Sequence, residues 1–335
     1  MYKLLICYGT RPEWIKIKPL LYELKSKGIK CDTLFTGQHQ DIAPKDSTWT
    51  FGEMKPLTNN RLDNIVANIL HSVDHILDQY THILIQGDTT SVMSLAIAAY
   101  HRKLKIIHLE AGLRTHDLDN PYPEEFNRSI VSKIASYHLC PTETNKSNLY
   151  REGIVENVYV VGNTVLDNFD KTGITYGNKI IVTLHRRENH HNLDKWFQEI
   201  SKCAAHNKDL DFILPLHPNP NVQKHRSHLK GINVVDPIPY DDFRNLLKES
   251  RLIISDSGGI QEEAAFLNKK VIVCRKVTER PESLWKHGFL CESPVSLFQM
   301  FQHLIEDPVA NSPCPYGAGD SSEKIANILE GIFHG

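Results

Sequence analysis

Short apolar runs alternate with longer amphipathic stretches along nearly the whole chain, and this alternation restricts the possible folds more than any other feature. One series lies at 4–8, 31–36, 82–86, 105–109, 138–141 and 157–161, and a second at 179–184, 211–216, 232–235, 252–255 and 270–274. Each run has the length of a strand, and the intervening stretches have the length and periodicity of helices. Parallel neighbours need long crossovers, so strands joined by helices predict mostly parallel sheets. A polar, glycine-containing segment at 167–177 separates the two series, and 335 residues exceed what one core ordinarily serves. The expected architecture is α/β, with two doubly wound Rossmann-like domains facing across a cleft and ligands at the carboxyl ends of the strands. The domains are expected at 1–166 and 167–319.

Composition removes several classes of function. A net charge of -2 gives no field for nucleic acid or an anionic membrane. Seven scattered cysteines without a C-x-x-C pair read as reduced thiols, several of them in buried strands. No signal peptide is evident, and no apolar run approaches the ~20 residues that span a bilayer. The expectation is a cytoplasmic protein. His71 and His75 stand four apart on an expected helix, but His71-Ser72-Val73-Asp74-His75 lacks the glutamate of a zinc protease. They read as a solvated helix face, and no metal is expected.

Two strand-to-helix junctions carry candidate chemistry. The run 252–255 leads into Asp256-Ser257-Gly258-Gly259-Ile260-Gln261-Glu262-Glu263, followed later by Thr278-Glu279-Arg280-Pro281-Glu282. A Ser-Gly-Gly turn at a helix N-terminus presents backbone N–H groups to an anion, and its glycines allow a phosphate to approach. Glu262 and Glu263 lie one turn in, where a carboxylate can accept hydrogen bonds from a ribose, and Arg280 can add positive charge. The same residues also suit a tight strand–helix turn with capping carboxylates. After the first strand comes Gly9-Thr10-Arg11-Pro12-Glu13, with Pro12 fitting a first helical turn and Arg11 and Lys16 able to face a ligand. No G-x-G-x-x-G follows a strand convincingly, so no nicotinamide cofactor is expected.

The ordered motifs GTRPE, TGQH, GDTTS, HLEAGLR, PYPEEFNR, VVGNTVLD, TLHRREN, HPNPNV, SDSGGIQEEA and TERPE resemble those of the non-hydrolysing UDP-N-acetylglucosamine 2-epimerases. The resemblance runs from Leu4 to about Glu282. It implies a fold like that of the GT-B glycosyltransferases, with the C-terminal helix at 320–335 returning to the first domain. It also implies a UDP-sugar as substrate, no cofactor, and a homodimer.

Asp88 and Glu110 each follow a strand of the first series, so parallel topology brings them to one rim. Glu124, with Arg128 one turn on, belongs to a loop-to-helix segment at 121–128. Singly, each would more often be a cap or a surface charge. Together they set carboxylates beside cations, which can separate acid and base roles. In the second series His185 ends a strand before Arg186 and Arg187, and His217 ends the next. His185 is expected to face the ligand, as an imidazolium on the diphosphate. His217 reads equally as a ligand contact or a structural residue. Phe243 reads equally as a uracil platform or a core residue.

The C2 proton beside an acetamido group is not acidic, so inversion there needs an indirect route. Expulsion of UDP builds positive charge at C1, a carboxylate then removes the C2 proton, and UDP adds back to the 2-acetamidoglucal. The resemblance assigns Asp88, Glu110, Glu124, Arg128 and His185 to this chemistry. It assigns UDP-sugar binding to Arg11, Lys16, His217, Phe243, Ser257, Gly258, Gly259, Glu263 and Arg280. Three rivals stay open: a hydrolysing relative, a retaining glycosyltransferase, and a non-catalytic sensor of nucleotide-sugars. Hydrolysing relatives usually carry an arginine after Gly-Asp, and Thr89 stands there instead. Gln40, Asp41 and Asn59 or Asn60 depart from the pattern associated with activation by a second substrate molecule.

Overall fold

The computed structural model describes residues 2–38 and 47–334. The chain divides into two units, Met1–Asn168 with Gly317–Gly335, and Phe169–Tyr316. The first unit contains β1 (Leu4–Tyr8), α1 (Arg11–Ser26), β2 (Cys31–Phe35), β3 (Trp49–Thr50), α2 (Arg61–Ser72) and α3 (Asp74–Leu77). It continues with β4 (His82–Gln86), α4 (Thr90–His101), β5 (Lys105–Leu109), α5 (Glu124–Ile134), β6 (Tyr137–Cys140), α6 (Glu143–Arg151) and β7 (Val158–Val160). Its sheet runs β3-β2-β1-β4-β5-β6-β7, and its strand pairs are parallel.

Side-chain alternation explains why this sheet is covered on both faces. On β1, Leu4, Ile6 and Tyr8 join one apolar cluster with Ile17, Leu20 and Leu24 of α1. Leu5 and Cys7 point the other way, into a cluster with Ile65 and Ile69 of α2 and Leu95 and Ala99 of α4. A strand buried on both faces reads as a continuous apolar run, which is why these strands are plain in the sequence.

The second unit contains β8 (Lys179–Thr183), α7 (Leu193–His206), β9 (Asp211–Pro215), α8 (Pro220–Gln223), β10 (Asn233–Val235) and α9 (Tyr240–Glu249). After these come β11 (Ser250–Ser255), α10 (Gly258–Phe266), β12 (Val271–Val273), β13 (Gly288–Leu290) and α11 (Pro294–Glu306). Its parallel sheet runs β10-β9-β8-β11-β12-β13. The last helix, α12 (Ser321–His334), belongs to the first unit, where Ile325, Ala326 and Leu329 pack into the cluster of α1.

The α/β class and the parallel sheets agree with the alternation in the sequence. Two strands were not expected. β3 is two residues long and β13 begins at a glycine, so neither carries a visible apolar run. His71 and His75 do not share one helix, because α2 ends at Ser72 and α3 opens at Asp74. Both are exposed, as a solvated face requires.

Each sheet has one place where the strand order reverses, between β1 and β4 in the first unit and between β8 and β11 in the second. Loops leaving adjacent strands there diverge to opposite faces and open a crevice at the carboxyl ends, where ligands bind in such folds.

Candidate functional site

At the first reversal the loops after β1 and β4 lie side by side. Arg11 stands exposed at the first position of α1, whose N-cap Thr10 forms a capping box with Glu13. Lys16, one turn further in, donates to both carboxylate oxygens of Glu110, at 2.7 and 2.6 Å. Glu110 directly follows β5, is 7% exposed, and holds a left-handed backbone at φ 69°. Such a conformation costs about 1–3 kcal/mol for a residue other than glycine and persists where surrounding structure over-determines it. Here the surroundings are Lys16, the Gln86 amide, and Asn163, which donates at 3.2 Å. Lys16 is thus bound to a carboxylate of the same unit, a pairing its sequence position did not reveal.

Asp88 follows β4, and Arg128 of α5 donates to it. Arg128 is buried and also reaches Glu125 at 3.2 Å. The Glu125 carboxylate accepts the Thr115 and His116 N–H groups, both at 3.0 Å, fixing the loop before α5. Asn127 donates to the Asp88 carbonyl at 2.8 Å. Glu124, half-buried, opens α5 on the same turn. Asp88 and Arg128 are therefore held together between α5 and the loop after β4, with Glu124 one turn before Arg128 on the same helix, while Glu110 and Lys16 gather around the end of β5.

The second reversal has a comparable plan. Asp256, fully buried, accepts the His185 N–H at 3.0 Å, the Arg186 N–H at 2.8 Å and the Asn189 amide at 3.1 Å. One carboxylate thereby joins the loop after β8 to the loop after β11. The His185 and His217 rings stack with centroids 5.2 Å apart. Burial chiefly lowers the His185 pKa, opposed by Asp256 and reinforced by Arg186, His217 and His190. Burial likewise lowers His217, with His190 adding to it. Both shifts favour the neutral rings, and a bound diphosphate would act against them to give the imidazolium expected at His185.

The helix α10 opens at Gly258, so Glu262 and Glu263 fall in its second turn. Glu262 is committed to Arg280, at 2.7 Å, and Glu263 accepts the Tyr240 hydroxyl at 2.8 Å. Arg280 is buried and also bound by Glu279, so two carboxylates already meet its charge. Glu279 turns equally to Arg275, at 2.8 Å, and Arg275 reaches Glu188 of the β8 loop at 2.7 Å. This chain of alternating charges braces the first turn of α10. Ser257 is the N-cap, but its hydroxyl makes no capping bond. Gly259 is half-exposed beside it. Phe243 lies half-buried on α9, whose fully buried residue is Leu247, so neither reading of Phe243 is excluded.

Glu13, Gln86, Asn163, Asp256 and Glu279 were not singled out from the sequence. A signal for Glu13 existed in the T-x-x-E spacing of a capping box. His39, Gln40 and Asp41 lie outside the described residues. Asn60 is the N-cap of α2, where its side chain accepts the Leu62 and Asp63 N–H groups. No described helix is long and apolar enough to cross a membrane.

Comparison with known proteins agrees with this fold. A family described as UDP-N-acetylglucosamine 2-epimerase matches residues 23–330. The chain is 36% identical to the UDP-N-acetylglucosamine 2-epimerase of Campylobacter jejuni, over 98% of this chain and 97% of that one. It is 35% identical to the enzyme of that name from Neisseria meningitidis, over 98% and 99%. A crystal structure of UDP-GlcNAc 2-epimerase from Neisseria meningitidis bound to UDP-GlcNAc superposes with a TM-score of 0.91, at 34% identity over 98% and 100% of the two chains.

Proposed function

The chain belongs to the UDP-N-acetylglucosamine 2-epimerase family, and from that premise we propose that it inverts C2 of UDP-N-acetylglucosamine reversibly, by the non-hydrolysing route. In this reading the C1–O bond to UDP breaks, the C2 proton passes to a carboxylate, and 2-acetamidoglucal and UDP remain bound. UDP then returns to C1 while a proton arrives on the opposite face of C2. No net oxidant and no cofactor are required.

The observation that carries the proposal is the carboxylate set of the first unit, each member held beside a cation. Glu110 has Lys16 at 2.6 Å, and Asp88 has Arg128. These two carboxylates and Glu124 are proposed to exchange protons at C2, worth about 10²–10⁴-fold per positioned group. Arg128 orients Asp88. In the second unit, the Ser257 hydroxyl and the N–H groups of Gly258 and Gly259 at the start of α10 are proposed to receive the diphosphate, the Ser257 N–H being held by the Ser255 hydroxyl at 3.0 Å. Arg280 braces that turn, and Glu263 and Phe243 are proposed to meet the nucleoside. His185 and His217 are proposed to become charged as the leaving group gathers negative charge. Arg11 supplies a further cation. A cytoplasmic homodimer is the proposed working state, checked by light scattering.

Incubation with UDP-N-acetylglucosamine in deuterated water, followed by NMR, tests the reading. The expected product is the C2 epimer carrying deuterium at C2. Epimer without deuterium would exclude proton exchange, and stoichiometric free sugar with UDP would establish a hydrolysing enzyme.

A further inference from the structure

Glu13 is a carboxylate only 2% exposed, placed where the loops after β1 and β4 adjoin. Its Oε2 accepts the backbone N–H of Gly9 at 2.6 Å and of Thr10 at 3.0 Å, and its Oε1 accepts the Thr89 hydroxyl at 2.8 Å. The contact with Thr10 is an ordinary capping box. The other two are not. Gly9 precedes the cap, and Thr89 comes from 76 residues along the chain. Thr89 directly follows Asp88, caps α4, and accepts the Val92 N–H at 3.3 Å. A capping box works at the surface, whereas burying a carboxylate is costly unless hydrogen bonds compensate. What burial adds here is a fixed link between two turns.

We propose that Glu13 is a positioning residue of the reaction, tying the turn that bears Arg11 to the turn that bears Asp88, and that protonating it reverses its bond to Thr89 and loosens the tie. The proposal rests on the roles given above to Asp88 and Arg11. Burial, the leading cause, lifts the Glu13 carboxyl to about 7 against the pull of its hydrogen bonds. Ionisable groups on the adjoining segments include Cys7 and Tyr8 of β1, Arg11 and Lys16 of α1, and Asp88 of the adjoining turn, and burial chiefly raises the Tyr8 hydroxyl. The Cys7 thiol is pushed well up by burial and then by Glu13. Lys16 is bound to Glu110 and Asp88 is bound by Arg128. Oε2 is taken up by the Gly9 and Thr10 N–H groups, with the Thr10 hydroxyl also beside the carboxyl, so a proton carried on Oε1 points at Thr89. The Thr89 oxygen then accepts from both Glu13 and Val92, and its own proton turns away.

Glu13→Gln copies the protonated form, since its oxygen can still accept from Gly9 and Thr10 while its NH₂ donates to Thr89. It is therefore expected to fold. Turnover of UDP-N-acetylglucosamine by wild type, Glu13→Gln and Thr89→Val is measured across the neutral range, with hydrogen exchange on peptides covering 4–13 and 86–93. At about pH 8.5 Glu13→Gln should turn over about tenfold more slowly than wild type, the difference between a charge-assisted and a neutral hydrogen bond, and converge with it near pH 6. Thr89→Val lacks the bond in both protonation states and should be slow at both, and the double variant should be no slower than Thr89→Val alone. In wild type the 86–93 peptide should be better protected above pH 7 than below it, and in Glu13→Gln protection should not change with pH. An equal loss of turnover by Glu13→Gln at every pH would make Glu13 merely structural and overturn the proposal. If wild type does not epimerise this substrate at all, the functional reading fails. Glu13 is then judged by exchange alone, and equal pH dependence in wild type and Glu13→Gln overturns it.

Discussion

Two adjacent glycines at the start of α10 should respond to the same substitution with opposite signs. A Cβ placed on Gly258 would lie 2.7 Å from the guanidinium carbon of Arg280 and 3.0 Å from Glu279 Oε1. Arg280 cannot swing aside freely, because Glu262 and Glu279 both hold it. Breaking such a buried pair costs about 3–5 kcal/mol. The helical gain from replacing glycine by alanine returns about 0.5–1 kcal/mol. Gly258→Ala should therefore destabilise the second unit by about 2–4 kcal/mol. A Cβ on Gly259 meets nothing within 4 Å, so Gly259→Ala should stabilise it by about 0.5–1 kcal/mol. Urea unfolding followed through the buried Trp196, with Trp14, Trp49 and Trp285 replaced by Phe, reads this unit directly. Calorimetry with UDP completes the test, since a methyl in the open space beside Gly259 occupies the proposed phosphate path. Gly259→Ala should then weaken UDP binding even as it stabilises the fold. If both alanines shift stability the same way, the bracing of this turn by Arg280 is wrong. If UDP binds Gly259→Ala as it binds wild type, the phosphate does not approach there.

Glu124→Gln should lower kcat by about 10²–10⁴-fold with little change in UDP affinity, and a near-normal kcat would remove it from the proton-transfer set. His108 and His138 are buried on neighbouring strands, and burial lowers each to about 4. Their folded pKa values lie below the unfolded one, so the stability of their neutral forms is fully present above about pH 6.5 and is lost on acidification through the window down to about 4. Each contributes roughly 3 kcal/mol by pH 4. Glu13, raised to about 7, acts oppositely over much of the same window, because protonation favours its folded form. The check is the slope of unfolding free energy against pH in wild type and in His138→Asn. Identical slopes would show that His138 does not titrate this way.

The sequence revealed those parts of the fold whose cause is local. β1, β4 and β5 announce themselves because burial on both faces demands consecutive apolar residues, and their ends agree with the structure to the residue. The cap of α1 is equally legible in Thr10, Pro12 and Glu13. What stayed hidden depends on distant partners. Asp256 stood inside the most informative motif, yet its role comes from His185, 71 residues earlier. Lys16 looked like a free cation until its partner Glu110, 94 residues on, was located. The direction in which His185 is pushed stayed hidden for a related reason: two neighbouring arginines suggest an anion site, but burial, the leading cause, lowers its pKa.

The return of α12 to the first unit bears on how the protein is made. The second unit is a continuous segment, Phe169–Tyr316, whereas the first needs residues from both termini. Ile325, Ala326 and Leu329 fill the face of the first sheet that α1 covers, and Asp167 binds the Ser321 and Ser322 N–H groups at 3.1 and 2.6 Å. During synthesis the N-terminal segment emerges first, but one apolar face of its sheet stays incomplete until α12 has been made. The inserted unit can fold before then, since domains generally fold as units during synthesis. A chain terminated even twenty or so residues early would thus lose the half made first, leaving the half made second intact.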